Sequence, residues 1–111
     1  MNKNVKILVV DDVKDIVNFL SGILKEEGYN VLTAHNGKTA VEIVQKQLPD
    51  AVIMDIRMPV MNGIEAMKKM KSINPLLPVI LITAYGEIDS AVKAVKLGAY
   101  DYVTKPFDRD N

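Results

Sequence analysis

Apolar residues along this chain fall into two alternating patterns. Runs that are apolar nearly throughout occupy residues 5–10, 51–54 and 79–82, as expected for strands buried on both faces. Stretches with apolar residues at helical spacing separate them. Residues 14–27 carry Ile16, Leu20, Ile23 and Leu24 on one face, and Gly28 supplies a C-terminal stop. Residues 30–34 read as a weaker strand, hence a sheet edge. Asn36-Gly37 makes a turn into a helix over 39–47, with Ala40, Val41, Ile43 and Val44 inward, which Pro49-Asp50 breaks. A loop over 57–63 precedes a third helix at 64–73, whose stripe is Ile64, Met67 and Met70. Ile88, Ala91, Val92 and Val95 mark a fourth helix, stopped by Gly98, and residues 100–103 read as a fifth strand.

Strand and helix thus alternate from end to end. That pattern predicts a parallel α/β sheet covered on both faces by right-handed crossovers. The length of 111 residues suits one domain spanning 1–111. Residues 108–111 look like the start of a helix, and a helix is expected there to cover the flank of the fifth strand. The chain is therefore expected to be a truncated domain or one piece of a longer parent.

Bulk properties remove several classes of function. Lys plus Arg and Asp plus Glu are 14 each, so no net field favours nucleic acid or an anionic membrane. With no Cys there is no disulfide, thiolate metal site or thiol nucleophile. The start lacks the length of a signal peptide or membrane span, which makes a cytoplasmic domain the default expectation.

The chemistry sits where the apolar runs end. Asp11 and Asp12 follow the first, Asp55 the third, Thr83 the fourth and Lys105 the fifth. In a parallel sheet these side chains gather at the carboxyl edge, where open α/β sheets place their sites. Taken singly, each has an ordinary explanation. Asp11-Asp12 form a turn or helix cap, with Asp12 or Asp15 capping the next helix. Asp55 ends a strand, Thr83 is a β-branched strand residue, and Lys105-Pro106 is turn chemistry. Taken together, three carboxylates, one ammonium and one hydroxyl are costly to assemble unless a cation or phosphoryl group belongs among them. Mg²⁺ suits such a site, since it uses one or two carboxylates plus a phosphate and keeps several waters. Asp55 reads either as a nucleophile forming an acyl phosphate or as a third metal ligand.

The stretches Ile7-Leu8-Val9-Val10-Asp11-Asp12, Met54-Asp55-Ile56-Arg57-Met58-Pro59, Asn62-Gly63, Thr83-Ala84-Tyr85-Gly86, Gly98-Ala99-Tyr100-Asp101-Tyr102 and Lys105-Pro106-Phe107 resemble the receiver domain of two-component response regulators. From Thr83 to Phe107 the similarity is greatest to nitrogen-regulator-type receivers, which precede an ATPase domain and a DNA-binding helix-turn-helix. The resemblance implies a flavodoxin-like five-stranded sheet of order 2-1-3-4-5. It implies Asp55 as phosphoacceptor; Asp11, Asp12, Asp55 and the Arg57 carbonyl as Mg²⁺ ligands; Lys105 as the phosphate-binding lysine; Thr83 and Tyr102 as the switch pair; and a cis Lys105-Pro106 peptide. The implied partners are a histidine kinase or histidine phosphotransfer protein, an output domain in the parent, and a second copy in a homodimer. Arg57 and Tyr85 would flank the site and control water access. The first helix, with Phe19 on a wide apolar face, would dock the kinase.

Other readings are weaker. A phosphohydrolase using Asp55 commonly needs a second acid two residues on, where Arg57 stands. Flavin phosphate would be repelled by Asp11-Asp12. Asn36-Gly37-Lys38-Thr39 imitates the end of a P-loop, but Leu32 stands where its first Gly should be. A stand-alone phosphorelay receiver remains open beside the transcription regulator. His35, Lys68, Lys69 and Lys71 are expected to be surface residues.

Overall fold

A computed structural model of the chain describes residues 4–84 and 87–105. Its elements are β1 (Lys6–Val10), α1 (Lys14–Glu26), β2 (Asn30–Ala34), α2 (Gly37–Gln47), β3 (Ala51–Asp55), α3 (Gly63–Ile73), β4 (Val79–Thr83), α4 (Ile88–Lys96) and β5 (Asp101–Thr104). All strand pairs are parallel, and the sheet order is β2-β1-β3-β4-β5. The expected order and edge strands are therefore borne out. The cis peptide and the start of a final helix fall on 106–111, outside the described residues.

Strand alternation divides the core between the two faces. Leu8, Val10, Val52, Met54, Val79 and Leu81 join a large cluster with Ala40, Val44, Met67, Met70, Ala91 and Ala94 of α2, α3 and α4. Ile7 and Val9 instead meet Val17 of α1, with Leu20, Leu24 and Ile53 packed alongside. Because β1 and β3 contribute to both clusters, each is apolar nearly throughout until it leaves the sheet.

Four details differ from the sequence reading. The buried stripe of α1 centres on Val17 and Ser21, with Leu20 and Leu24 partly buried beside it. No side chain caps α1; the Asp11 carboxylate instead accepts from the Val13 N–H at 3.0 Å. In α4 the inward positions are Ala91 and Ala94, leaving Val92 and Val95 exposed. Small residues there let the helix lie close to the sheet. Asn36 is the N-cap of α2, its side chain accepting from the Thr39 N–H at 2.8 Å, so the Asn-Gly pair is a cap and a first helical residue.

Two glycines mark how tightly the carboxyl edge is packed. A Cβ at Gly63 would lie 2.2 Å from the Asp55 carbonyl oxygen, and one at Gly37 would lie 2.3 Å from that of Met61. Backbone stands in the way at both, so no side-chain rotation relieves the clash. The α3 N-terminus is thereby seated directly on the end of β3. Gly22, mid-α1, has nothing within 4 Å of its Cβ position. Gly63→Ala should therefore cost about 1–3 kcal/mol, whereas Gly22→Ala should gain about 0.5–1 kcal/mol from helix propensity. Urea unfolding of the two variants checks both signs.

Candidate functional site

Strand register brings the candidate residues to one level. Val10 pairs with Met54, so Asp11 and Asp55 are the next residues of β1 and β3. Asp55 pairs with Ile82, which puts Thr83 one step on; Thr83 pairs with Thr104, which puts Lys105 one step on. The ladder continues past the strand ends: Asp11 N–H donates to the Ala34 carbonyl at 3.2 Å, Ile56 to Ile82 at 3.0 Å, and Lys105 to Thr83 at 2.7 Å. Backbone hydrogen bonds thus fix the height of each candidate residue.

The result is a concentrated charge cluster. Asp11 is fully buried, Asp55 is 5% exposed, and Asp12 is exposed. One carboxylate oxygen from each lies within 4.8 Å of the others. Lys105 Nζ is 3.2 Å from Asp11 Oδ2 and 3.4 Å from Asp55 Oδ1. At such distances one pair of unit charges interacts by about 4 kcal/mol at an effective dielectric near 20. One ammonium cannot offset three mutual repulsions. Asp55 registers the strain: burial, then the Asp11 charge, push its carboxyl from 3.8 up to about 6, against the opposing pull of Lys105, with Asp12 adding a smaller push.

The donor set fits a small divalent cation. All the offered atoms are carboxylate oxygens, the hard ligands Mg²⁺ prefers. Among the described residues, the buried Asp11 Oδ2 has no hydrogen bond of good geometry and makes an ionic contact to Lys105. An orphaned buried carboxylate oxygen facing two further carboxylates is the arrangement a cation relieves.

Around this cluster the loops are distinctive. Asp12, Arg57, Met58, Pro59 and Asn62 line an open cleft beside the carboxylates. Val60 has φ 73°, and the Met61 N–H donates to the Pro59 carbonyl at 2.9 Å across it, a γ-turn that is strained for a β-branched residue. Met58 is buried and Met61 packs against the larger core, so both fill space as well as bordering the site. Thr83 is fully buried, and its hydroxyl donates to the Ala84 carbonyl at 3.2 Å. Tyr102 is half-buried and pairs with Leu81, two residues before Thr83, so alternation places it on the same side of the sheet. Tyr85 lies outside the described residues.

Some neighbours have no signal in the sequence. His35 is exposed, as expected, yet its Nδ1 lies 3.2 Å from the Asp11 carbonyl oxygen. Arg57 Nε is ion-paired with the Glu87 carboxylate from the far side of the edge. Lys71, expected on a solvated face, donates to the Leu77 carbonyl at 3.0 Å and is half-buried.

A family model described as the response regulator receiver domain matches residues 7–111. The chain belongs to this family. A receiver domain is a signalling switch of two-component systems, and the relatives agree. Transcriptional regulatory protein ZraR of Escherichia coli K12 is 45% identical over 108 residues, covering 97% of this chain and 24% of that protein. Regulatory protein AtoC of the same organism is 48% identical over 105 residues, covering 95% and 23%. The chain therefore spans about a quarter of these regulators. Sporulation initiation phosphotransferase F of Bacillus subtilis is 45% identical over 107 residues, covering 96% and 86%. Among solved structures, the receiver domain of NtrX from Brucella abortus superposes with a TM-score of 0.88 at 38% identity, covering 94% of this chain and 88% of that one. The nitrogen-regulator-type resemblance is thus upheld.

The raised Asp55 pKa has a consequence for stability. The folded receiver holds that proton to higher pH than the unfolded chain does. Asp55 therefore withdraws stability as pH rises from 3.8 to about 6, and no more above. Asp55→Asn should remove this slope and raise metal-free stability at neutral pH by about 1–3 kcal/mol. Urea unfolding of both proteins from pH 4 to 8 without divalent cations measures the difference.

Proposed function

We propose that Asp55 is the phosphoacceptor of this receiver and that Asp11, Asp12 and Asp55, with the Arg57 carbonyl, hold Mg²⁺. The observation that carries the reading is the Lys105 ammonium lying within 3.4 Å of both Asp11 and Asp55 beside an open cleft. A bound divalent cation supplies positive charge against the equatorial phosphoryl oxygens. The chain's own residues do the rest. At about 6, the Asp55 pKa leaves its carboxylate largely ionised at neutral pH, ready as a nucleophile.

An Asp55 oxygen attacks phosphorus in line as the bond from phosphorus to the donor's imidazole nitrogen breaks. The nitrogen leaves with the electron pair, and an acyl phosphate remains on Asp55. Lys105, no longer facing a simple carboxylate, donates to a phosphoryl oxygen. Thr83 exchanges its bond to the Ala84 carbonyl for a charge-assisted one to the phosphoryl group, and Tyr102 moves into the space this leaves. The domain in this way assists its own modification.

The phosphoryl donor is a histidine kinase or histidine phosphotransfer protein in the cytoplasm. Its docking surface is α1, where Asn18, Phe19, Gly22, Ile23 and Glu26 line a shallow groove. Among the described residues no helix is long and apolar enough to cross a membrane. Similarity to ZraR and AtoC supports a transcription-regulating output in the parent, while similarity across 86% of sporulation initiation phosphotransferase F supports a stand-alone relay as the second reading. The exposed Val92, Val95 and Val103 suit contact with a second copy.

Acetyl phosphate with Mg²⁺ should add one phosphoryl group to the wild type and none to Asp55→Asn, by intact mass. No adduct on the wild type, or an equal adduct on the variant, would sink the assignment. Mg²⁺ alone should raise the melting temperature, by the equivalent of about 2.7 kcal/mol at a hundredfold excess over its dissociation constant. That gain should shrink in Asp11→Asn, as calorimetry can measure.

A further inference from the structure

Two loops rise beside the acidic cluster, one after β3 and one after β4, and a single ion pair joins them. Arg57 Nε meets Glu87 Oε1; the arginine side chain is 79% exposed and the glutamate 18%. Glu87 is the residue from which α4 begins, at the N-cap position, yet its carboxylate makes no capping hydrogen bond. Negative charge near a helix N-terminus is favoured by the positive end of the macrodipole. Here the carboxylate is paired instead with an arginine thirty positions earlier in the chain.

The same turn carries the switch hydroxyl. The Ala84 carbonyl accepts from the Thr83 hydroxyl at 3.2 Å and from the Glu87 N–H at 2.9 Å. One acceptor therefore couples Thr83 to Glu87, and Glu87 in turn is tied to Arg57, two residues past Asp55. A phosphoryl group on Asp55 would act on both ends of this chain of contacts. It would draw the Thr83 hydroxyl from the Ala84 carbonyl. It would also compete with Glu87 for the guanidinium, whose planar fork suits phosphate oxygens and whose exposed side chain is free to turn.

We propose that the Arg57–Glu87 ion pair is a latch on the resting state. It holds the first turn of α4 to the β3–α3 loop and releases it when the guanidinium turns to the phosphorylated site. Arg57 and Glu87 are positioning residues in this scheme. The inference rests on the reading of Asp55 as the phosphoacceptor. Breaking the latch shifts the population toward the active state before any phosphorylation. A pair this exposed sets the size of the shift at about two- to fivefold.

The test uses isotope-labelled protein and the amide positions of Ala94, Val95 and Tyr102, away from either substitution. Wild type is recorded alone and with saturating Mg²⁺ plus beryllofluoride, a phosphoryl mimic, to define the two ends of the scale. Glu87→Gln and Arg57→Gln should each move the metal-free positions toward the beryllofluoride end. The double variant should move no further than the larger single. Exchanging the charges, Arg57→Glu with Glu87→Arg, should return them. Positions unmoved by either single variant, additive movement in the double, or no return on charge exchange overturns the latch. A wild type that ignores beryllofluoride overturns the latch and the phosphoacceptor reading together, which separates the two failures.

Discussion

Three carboxylates held within 4.8 Å of one another, with one ammonium among them, leave a net charge of about −2 in a partly buried crevice. Asp11, Asp55 and Lys105 cannot retreat far, because each is the last residue of a hydrogen-bonded strand or the one after it. Asp11, Ile56 and Lys105 extend the ladder with their own N–H groups, and Gly63 seats α3 against the Asp55 carbonyl. The sheet forces the charges together, and the large apolar cores on its faces stabilise the sheet. The repulsion is therefore sustained by burial elsewhere, as strain at functional sites generally is. The surrounding γ-turn at Val60 is a second instance of the same trade.

That excess charge organises the chemistry. It makes a divalent cation a complement to the site, and it keeps Asp55 near the middle of the pH scale. Lys105 then has a double use in the proposed mechanism. It partly neutralises Asp11 and Asp55 at rest and meets phosphoryl oxygens afterward, so the same contact distance serves both states. A lysine suits this better than an arginine, since its compact ammonium can turn from one oxygen to another without satisfying a fixed fork.

Much of this was legible in the sequence because parallel strands buried on both faces are read directly as apolar runs. The ends of four runs located the candidate residues, and the resemblance to receiver domains supplied the strand order. What stayed hidden depended on packing across long separations. The inward face of α4 is Ala91 and Ala94, since the close approach of helix to sheet favours small residues over the larger Val92 and Val95. The apolar spacing of α1 gave its direction only roughly, and the buried centre fell on Val17 and a serine. Neither the Arg57–Glu87 pair nor the His35 contact with Asp11 leaves any periodic trace, because each joins loops whose residues meet only after the sheet has formed.

The rigidity of the edge also limits how a charge change at Asp55 can be transmitted. Backbone register holds Asp55 and Lys105, so an added phosphoryl group cannot be accommodated by sliding strands. The parts left to respond are side chains and the turns beyond the ladder. Among these, the Ala84 carbonyl is where two hydrogen bonds converge, one from Thr83 inside the sheet and one from Glu87 at the start of α4. Removing the Thr83 donor would leave the carbonyl with the Glu87 N–H, so the exchange proposed for Thr83 would not orphan a buried acceptor. A switch needs two arrangements close in energy. A turn fixed by one strong bond would have a single state, and a turn with none would have many. In the proposed switch, one acceptor shared by the Thr83 hydroxyl and the Glu87 amide would let the turn respond while the sheet beneath it stays fixed.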